Sequence, residues 1–145
     1  MKEVSPNEAL AELEQDPETI YLDVRSVPEF QQGHPIRAIN IPLLHFVPGM
    51  GMMPNDDFFE VVQANIKQDA KIVIGCKTGA RSARAVEILT QLGYTDVANV
   101  RGGFIGVMDP MGRVMEAGWS LLNLPVCKAC TDNAQYEQLA TKAVK

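Results

Sequence analysis

One run constrains this chain more than any other. It is Lys71-Ile72-Val73-Ile74-Gly75, followed by Cys76-Lys77-Thr78-Gly79-Ala80-Arg81-Ser82 and then an amphipathic stretch closed by Gly93. A short apolar run rich in β-branched residues reads as a strand buried on both faces. Ala85, Val86, Leu89 and Leu92 recur at helical spacing, so residues 81–92 read as a helix with one face on a core. A strand that turns within a few residues into a helix is the building unit of an α/β domain with a largely parallel sheet.

The remaining pattern agrees. Ser5-Pro6-Asn7-Glu8 is a helix start, with Ser5 as cap, Pro6 at the first position and Glu8 three residues after the cap. Asp16-Pro17 ends that helix. Strands are expected at 20–23, 38–41 and 96–100, and helices at 27–32 and 55–67. Helical material is expected to resume between Met108 and Ala117, and a terminal helix over 135–145. Trp119 reads as a core anchor.

The chain has 145 residues, enough for one domain whose core needs no disulfide or metal. No stretch approaches the roughly 20 apolar residues that cross a bilayer. Met1 to Asp16 lacks a basic start followed by an apolar run and is not read as a secretory signal. A cytoplasmic, reducing location is therefore the expectation. The net charge of −5 disfavours nucleic acid and anionic membranes as partners. It is uneven: residues 1–70 carry −8 and residues 71–145 carry +3. The basic half suits a small anionic ligand, unless the two halves of the sequence fail to map onto faces of the fold.

Three cysteines leave at least one thiol unpaired within the chain. Cys76 sits at the tip of the strongest strand. A loop containing Gly79 can turn backbone N–H groups inward, and the following helix aims the positive end of its dipole at the same place. Lys77 and Arg81 add formal charge. Each effect favours thiolate over thiol and makes Cys76 the candidate nucleophile. The bland alternative is a small buried hydrophobe.

Cys76-Lys77-Thr78-Gly79-Ala80-Arg81-Ser82 resembles the active-site loop of the single-domain rhodaneses, a sulfurtransferase family. Leu22-Asp23-Val24-Arg25, Glu29-Phe30, Gly33-His34 and Ala38-Ile39-Asn40-Ile41-Pro42 are similar to the family's N-terminal signature, and Asn99-Val100 with Gly102-Gly103 to its last strand and turn. The likeness spans residues 5–126, so 1–126 is expected as the domain and 127–145 as a tail with a C-x-x-C pair and a short helix. It implies a three-layer α/β fold, with a central, mostly parallel sheet of about five strands flanked by helices. It further implies that Cys76 alternates between thiolate and persulfide, with Lys77, Thr78, Gly79, Ala80 and Arg81 cradling the outer sulfur. Asp23 and Arg25 would be structural support. Neither metal nor organic cofactor is implied.

Several positions depart from the family. Gly33-His34-Pro35-Ile36-Arg37-Ala38 exchanges Pro and Ile and puts Arg37 where a Gly is usual. Phe104 stands near the place of a usual tryptophan, and residues 104–122 form a longer segment than usual, so the mouth of the site is expected to be shaped differently.

Loop length bears on the reaction. Cys76 and Arg81 enclose four residues. Phosphatases with a Cys/Arg loop enclose five, to wrap a tetrahedral oxyanion. The tighter ring fits a single sulfur. The expected reaction takes sulfane sulfur from a small anionic donor such as thiosulfate to a thiophilic acceptor, a thiol or a sulfur-carrier protein. Two alternatives stand beside it: a sulfur-carrier or interaction module with little turnover, and a Cys-dependent phosphatase or arsenate reductase, which loop length disfavours.

Cys127 and Cys130 admit three readings: a redox pair or sulfur relay, two inert thiols, or half of a metal site. His34 and His45 lie far upstream. Pro48 to Pro54, with Met50, Met52 and Met53, reads either as an adaptable surface for a sulfur-carrying partner or as a lid over the domain's own core.

Overall fold

The computed structural model describes residues 1–128 and 134–143. The chain opens with β1 (Glu3–Val4) and α1 (Pro6–Gln15). The Ser5 hydroxyl accepts the Glu8 N–H while the Glu8 carboxylate accepts the Ser5 N–H, closing the capping box. Next come β2 (Ile20–Asp23), α2 (Val27–Gln31), β3 (His34–Pro35) and β4 (Ile39–Asn40). A hairpin, β5 (Leu44–Val47) and β6 (Gly51–Pro54), leads to α3 (Phe58–Asn65), β7 (Lys71–Gly75), α4 (Ala80–Gln91) and β8 (Asp96–Val100). A second hairpin, β9 (Gly106–Met108) and β10 (Val114–Ala117), precedes β11 (Val126–Cys127) and α5 (Tyr136–Ala140).

The main sheet is parallel throughout, in the order β1-β8-β7-β2-β4, so β7 is its middle strand. Alternation along β7 divides the core. Ile72 and Ile74 face one layer with Val61 and Val62 of α3, Val86 and Leu89 of α4, and Leu139 of α5. Val73 faces the other with Ala9 and Leu13 of α1, Phe30 of α2, Tyr21 and Trp119. Two faces buried under helices explain why β7 is apolar at every interior position. The fold is the expected three-layer α/β architecture.

Met108 to Ala117 belongs to the β9–β10 hairpin, not to a helix. Gly112 lies at φ 82, and the Asp109 carboxylate accepts the N–H groups of Met111 and Arg113, so turn chemistry overrides the apolar spacing. The hairpin accounts for the long segment after the double glycine. It carries the chain out and back, so that the Trp119 N–H donates to Gly103 O at 2.8 Å. The Trp119 indole then packs edge-on to Tyr21 at 5.5 Å, fully buried.

Arg37 has a positive φ of 67. Its guanidinium donates to the carbonyls of Leu13, Pro17 and Thr19, tying down the C-terminal end of α1. These bonds offset the backbone strain that a glycine would avoid.

Candidate active site

Cys76 follows the middle strand at its carboxyl end, where ligands of open α/β sheets usually lie. Its side chain is 1% exposed. Two donors approach the sulfur: the Gly79 N–H at 3.1 Å and the Ser82 hydroxyl at 3.3 Å. Gly79 caps α4 with φ 115, a left-handed conformation that glycine adopts without strain. That turn points its N–H back at the sulfur. α4 has twelve residues, and its positive end faces the same loop.

The outside of the loop is pinned by the double glycine. Phe104 N–H donates to Cys76 O at 2.7 Å and Ile105 N–H to Lys77 O at 2.9 Å. Gly103, at φ 57, packs so closely that a Cβ would overlap the Cys76 carbonyl and lie 2.8 Å from the Lys77 carbonyl carbon. Backbone therefore packs directly on backbone here.

The other candidate residues fall into separate positions. Lys77 and Thr78 are exposed, as is Ala80 at the start of α4. Lys77 has no ion pair among the described residues. Arg81 does not stand free over the loop. It makes a two-pronged ion pair with Glu29 of α2, at 2.8 and 3.0 Å. Burial pushes the Glu29 carboxyl up, but the Arg81 hydrogen bond and the Ser26 N–H outweigh it and hold the carboxyl at about 2.

Asp23 and Arg25 form a buried ion pair. Arg25 Nη2 donates to Asp23 at 2.8 Å and to Gly33 O at 2.7 Å, and its guanidinium lies 4.4 Å from the Phe104 ring centroid. Burial works against the charge on Arg25; Asp23 more than restores it. Asn40 donates to the carbonyls of both Asp23 and Arg25. This cluster ties the end of β2 to the Gly33 turn and, through Phe104, to the segment that pins Cys76. His34 is buried, stacked on Phe30 at 3.6 Å, with Nδ1 2.8 Å from Phe30 O. Cys127 is buried in β11 against β3 and is disulfide-bonded, whereas Cys76 is free. Cys130 lies outside the described residues.

Ser82, which reaches the sulfur, and Asn99, which holds Ser82, have no role assigned from the sequence. Ser82 Oγ lies 2.6 Å from Asn99 Oδ1, and Asn99 Nδ2 donates to the Glu3 carboxylate of β1 at 3.2 Å. A lone amide within the apolar run Val97-Ala98-Asn99-Val100 was the available signal, because a buried polar side chain requires a partner.

A cavity of about 530 Å3 opens beside the loop. Its lining includes the charged Glu29, Lys77 and Arg81 together with Leu44, Phe46 and Met52 of the β5–β6 hairpin. The 48–54 segment is thus the turn and second strand of a hairpin, and its exposed Met52, with Phe46 of β5, lines this cavity rather than the core.

A family model described as "Rhodanese-like domain" matches residues 5–109. The chain belongs to the rhodanese-like domain family. Among related proteins, "Thiosulfate sulfurtransferase 16, chloroplastic" of Arabidopsis thaliana is 42% identical over 84 residues, covering 58% of this chain and 69% of that protein. "Senescence-associated protein DIN1" of Raphanus sativus is 41% identical over 85 residues, covering 59% of this chain and 46% of that protein. The chain spans about half the length of several of the curated relatives it matches. Among solved structures, the crystal structure of Rv0390 from M. tuberculosis superposes with a TM-score of 0.74 at 26% identity, covering 89% of this chain and 98% of that one. Relatives carry chloroplastic and mitochondrial names. No helix of this rhodanese-like domain, among the described residues, is long and apolar enough to cross a membrane.

Proposed function

We propose that this rhodanese-like domain is a sulfurtransferase that works through a Cys76 persulfide. The observation that carries the reading is the pair of donors aimed at one sulfur. Gly79 N–H and the Ser82 hydroxyl reach Cys76 Sγ inside a six-residue loop at the end of the middle strand. Such a setting holds the sulfur in one orientation and offers hydrogen-bond donors to a group bound on it.

The Cys76 thiolate attacks the outer sulfur of a donor such as thiosulfate. The sulfur–sulfur bond of the donor breaks, and sulfite leaves with the electron pair. The loop then holds the anionic outer sulfur of the persulfide. A thiophilic acceptor removes that sulfur in a second displacement and regenerates the thiolate. Lys77, exposed and without an ion pair among the described residues, attracts the anionic donor. Arg81 acts mainly through Glu29, holding α2 against the loop. The name of the Arabidopsis relative supports thiosulfate as a donor. The short loop supports sulfur over a phosphoryl or arsenyl group.

Incubation with thiosulfate is expected to add one sulfur to the intact mass and to release sulfite, and Cys76→Ala is expected to abolish both. Absence of persulfide with several donors would overturn the reading. Stoichiometric persulfide without turnover on any small acceptor would reassign the domain as a sulfur carrier. Phosphatase activity dependent on Cys76 would replace both readings.

A further inference from the structure

The edge strand β1 places a carboxylate at the end of a hydrogen-bond chain that reaches the sulfur. Asn99 N–H donates to Lys2 O at 3.0 Å and Arg101 N–H to Val4 O at 2.8 Å, which sets Glu3 directly beside Asn99 in the parallel register. Val4 and Val100 then face the layer of α1, where both are buried. Successive side chains alternate along a strand, so Glu3 and Asn99 face the other layer, on the side of α4.

The chain runs from Glu3 through Asn99 and Ser82 to Cys76, and the chemistry of its far end fixes the direction of each bond. An ionised carboxylate only accepts. Glu3 therefore takes an amide N–H of Asn99, at 3.2 Å. The amide oxygen is thereby turned to Ser82, whose hydroxyl donates to it at 2.6 Å. That bond is the shortest of the three open to the Ser82 proton, since the Gly79 carbonyl lies at 3.2 Å and Cys76 Sγ at 3.3 Å. Ser82 and Asn99 are both buried, so water does not relieve the competition. Ser82 serves the sulfur only by turning its proton away from Asn99.

We infer that Glu3 is a positioning residue that sets the reactivity of Cys76 from the edge of the sheet, acting through the Asn99 amide. With the carboxylate in place, the amide oxygen competes with the sulfur for the Ser82 proton. Without it, the amide is free to turn over and aim its N–H groups at the Ser82 oxygen. An amide N–H accepts nothing, so the Ser82 proton is then left to Cys76 Sγ and the Gly79 carbonyl. Glu3 thus holds Cys76 below the reactivity that its loop can reach. In the sulfur-transfer reading, on which the inference rests, the redirected proton steadies the thiolate that attacks the donor.

Iodoacetamide alkylation reads the thiolate, so the rate at Cys76 is followed from about pH 5 to 9. Glu3→Gln is expected to raise the rate near neutral pH about threefold, the worth of one modest hydrogen bond, and to leave the high-pH plateau unchanged. In a Ser82→Ala background, Glu3→Gln is expected to change nothing, because the chain is already cut. Lys77 and Arg81, the other charges on the loop, are the same in every variant. An unaltered rate in Glu3→Gln would overturn the inference. So would a gain that survives in Ser82→Ala, which would come from lost charge alone, and so would a lowered plateau, which would mean a disturbed loop.

Alkylation needs no sulfur donor, so the two readings fail separately. If thiosulfate never forms persulfide and the alkylation pattern holds, Glu3 remains a positioning residue of Cys76 and sulfur transfer falls. If persulfide forms and Glu3→Gln is alkylated at the unmodified rate, the role of Glu3 falls and sulfur transfer stands.

Discussion

Arg81 and Glu29 lock together across two helices, with guanidinium nitrogens 2.8 and 3.0 Å from the two carboxylate oxygens. The pair joins the first turn of α4, which carries the active loop, to α2, which follows the Asp23–Arg25 cluster. Its effect on pH dependence follows from the Glu29 carboxyl, held near 2 against an ordinary value of 4.5. A depressed acid contributes stability that is full above its unfolded value and is lost as pH falls through the folded one. Urea unfolding measured from pH 6 to 2 is therefore expected to show a loss of stability between about 4.5 and 2. Glu29→Gln should make that part of the profile shallower. An unchanged slope would remove the pair from the acid response.

Ser82 has one hydroxyl proton and three competing acceptors, the third being the Gly79 carbonyl at 3.2 Å. Asn99 Oδ1 lies at 2.6 Å and Cys76 Sγ at 3.3 Å, so the amide holds the proton more tightly. Ser82→Ala is expected to slow iodoacetamide alkylation of Cys76 at neutral pH about threefold or more, the worth of one modest hydrogen bond. Asn99→Ala should act in the opposite direction, because the hydroxyl then divides its proton between Cys76 Sγ and the Gly79 carbonyl alone. Equal slowing in both variants would indicate a merely structural role for Asn99.

Gly103→Ala forces a methyl group into the Cys76 carbonyl at a positive φ. Strain and overpacking together are expected to cost about 3 kcal/mol. Because the loop itself must shift, persulfide yield per folded molecule should also fall. Thermal unfolding and intact-mass measurement check the two effects.

Arg37 offers a contrast. Arg37→Ala keeps the left-handed backbone and loses all three carbonyl contacts, with an expected cost of about 2 kcal/mol. Arg37→Gly loses the same contacts but relieves the strain, and its cost should be smaller by roughly 1 kcal/mol. Chemical denaturation of both variants gives the difference directly.

Periodicity made the strands at 20–23, 71–75 and 96–100 and the helices α1 and α4 legible, because each buries a full face and writes that face into the side-chain pattern. The same logic failed at β9–β10 and was silent at β5–β6. Those hairpins leave much apolar surface exposed, so spacing carries little information there, and turn chemistry at Asp109 and Gly112 decides the first of them. The two-residue β1 was equally invisible: its place beside β8 comes from backbone pairing, the buried Val4 and the Glu3–Asn99 contact, all with residues far along the chain.

By itself, the sequence determined the α/β alternation, the capping of α1 and the position of Cys76 on a strand-to-helix loop, because these depend on neighbours along the chain. Tertiary structure alone decided that Arg81 turns to Glu29, that Ser82 and Asn99 stand behind the sulfur, and that Phe46 and Met52 wall a cavity beside Lys77. Each of those relations joins residues brought together only when helices and hairpins pack on the sheet. Local propensity carries no record of such contacts; distance in the folded chain does.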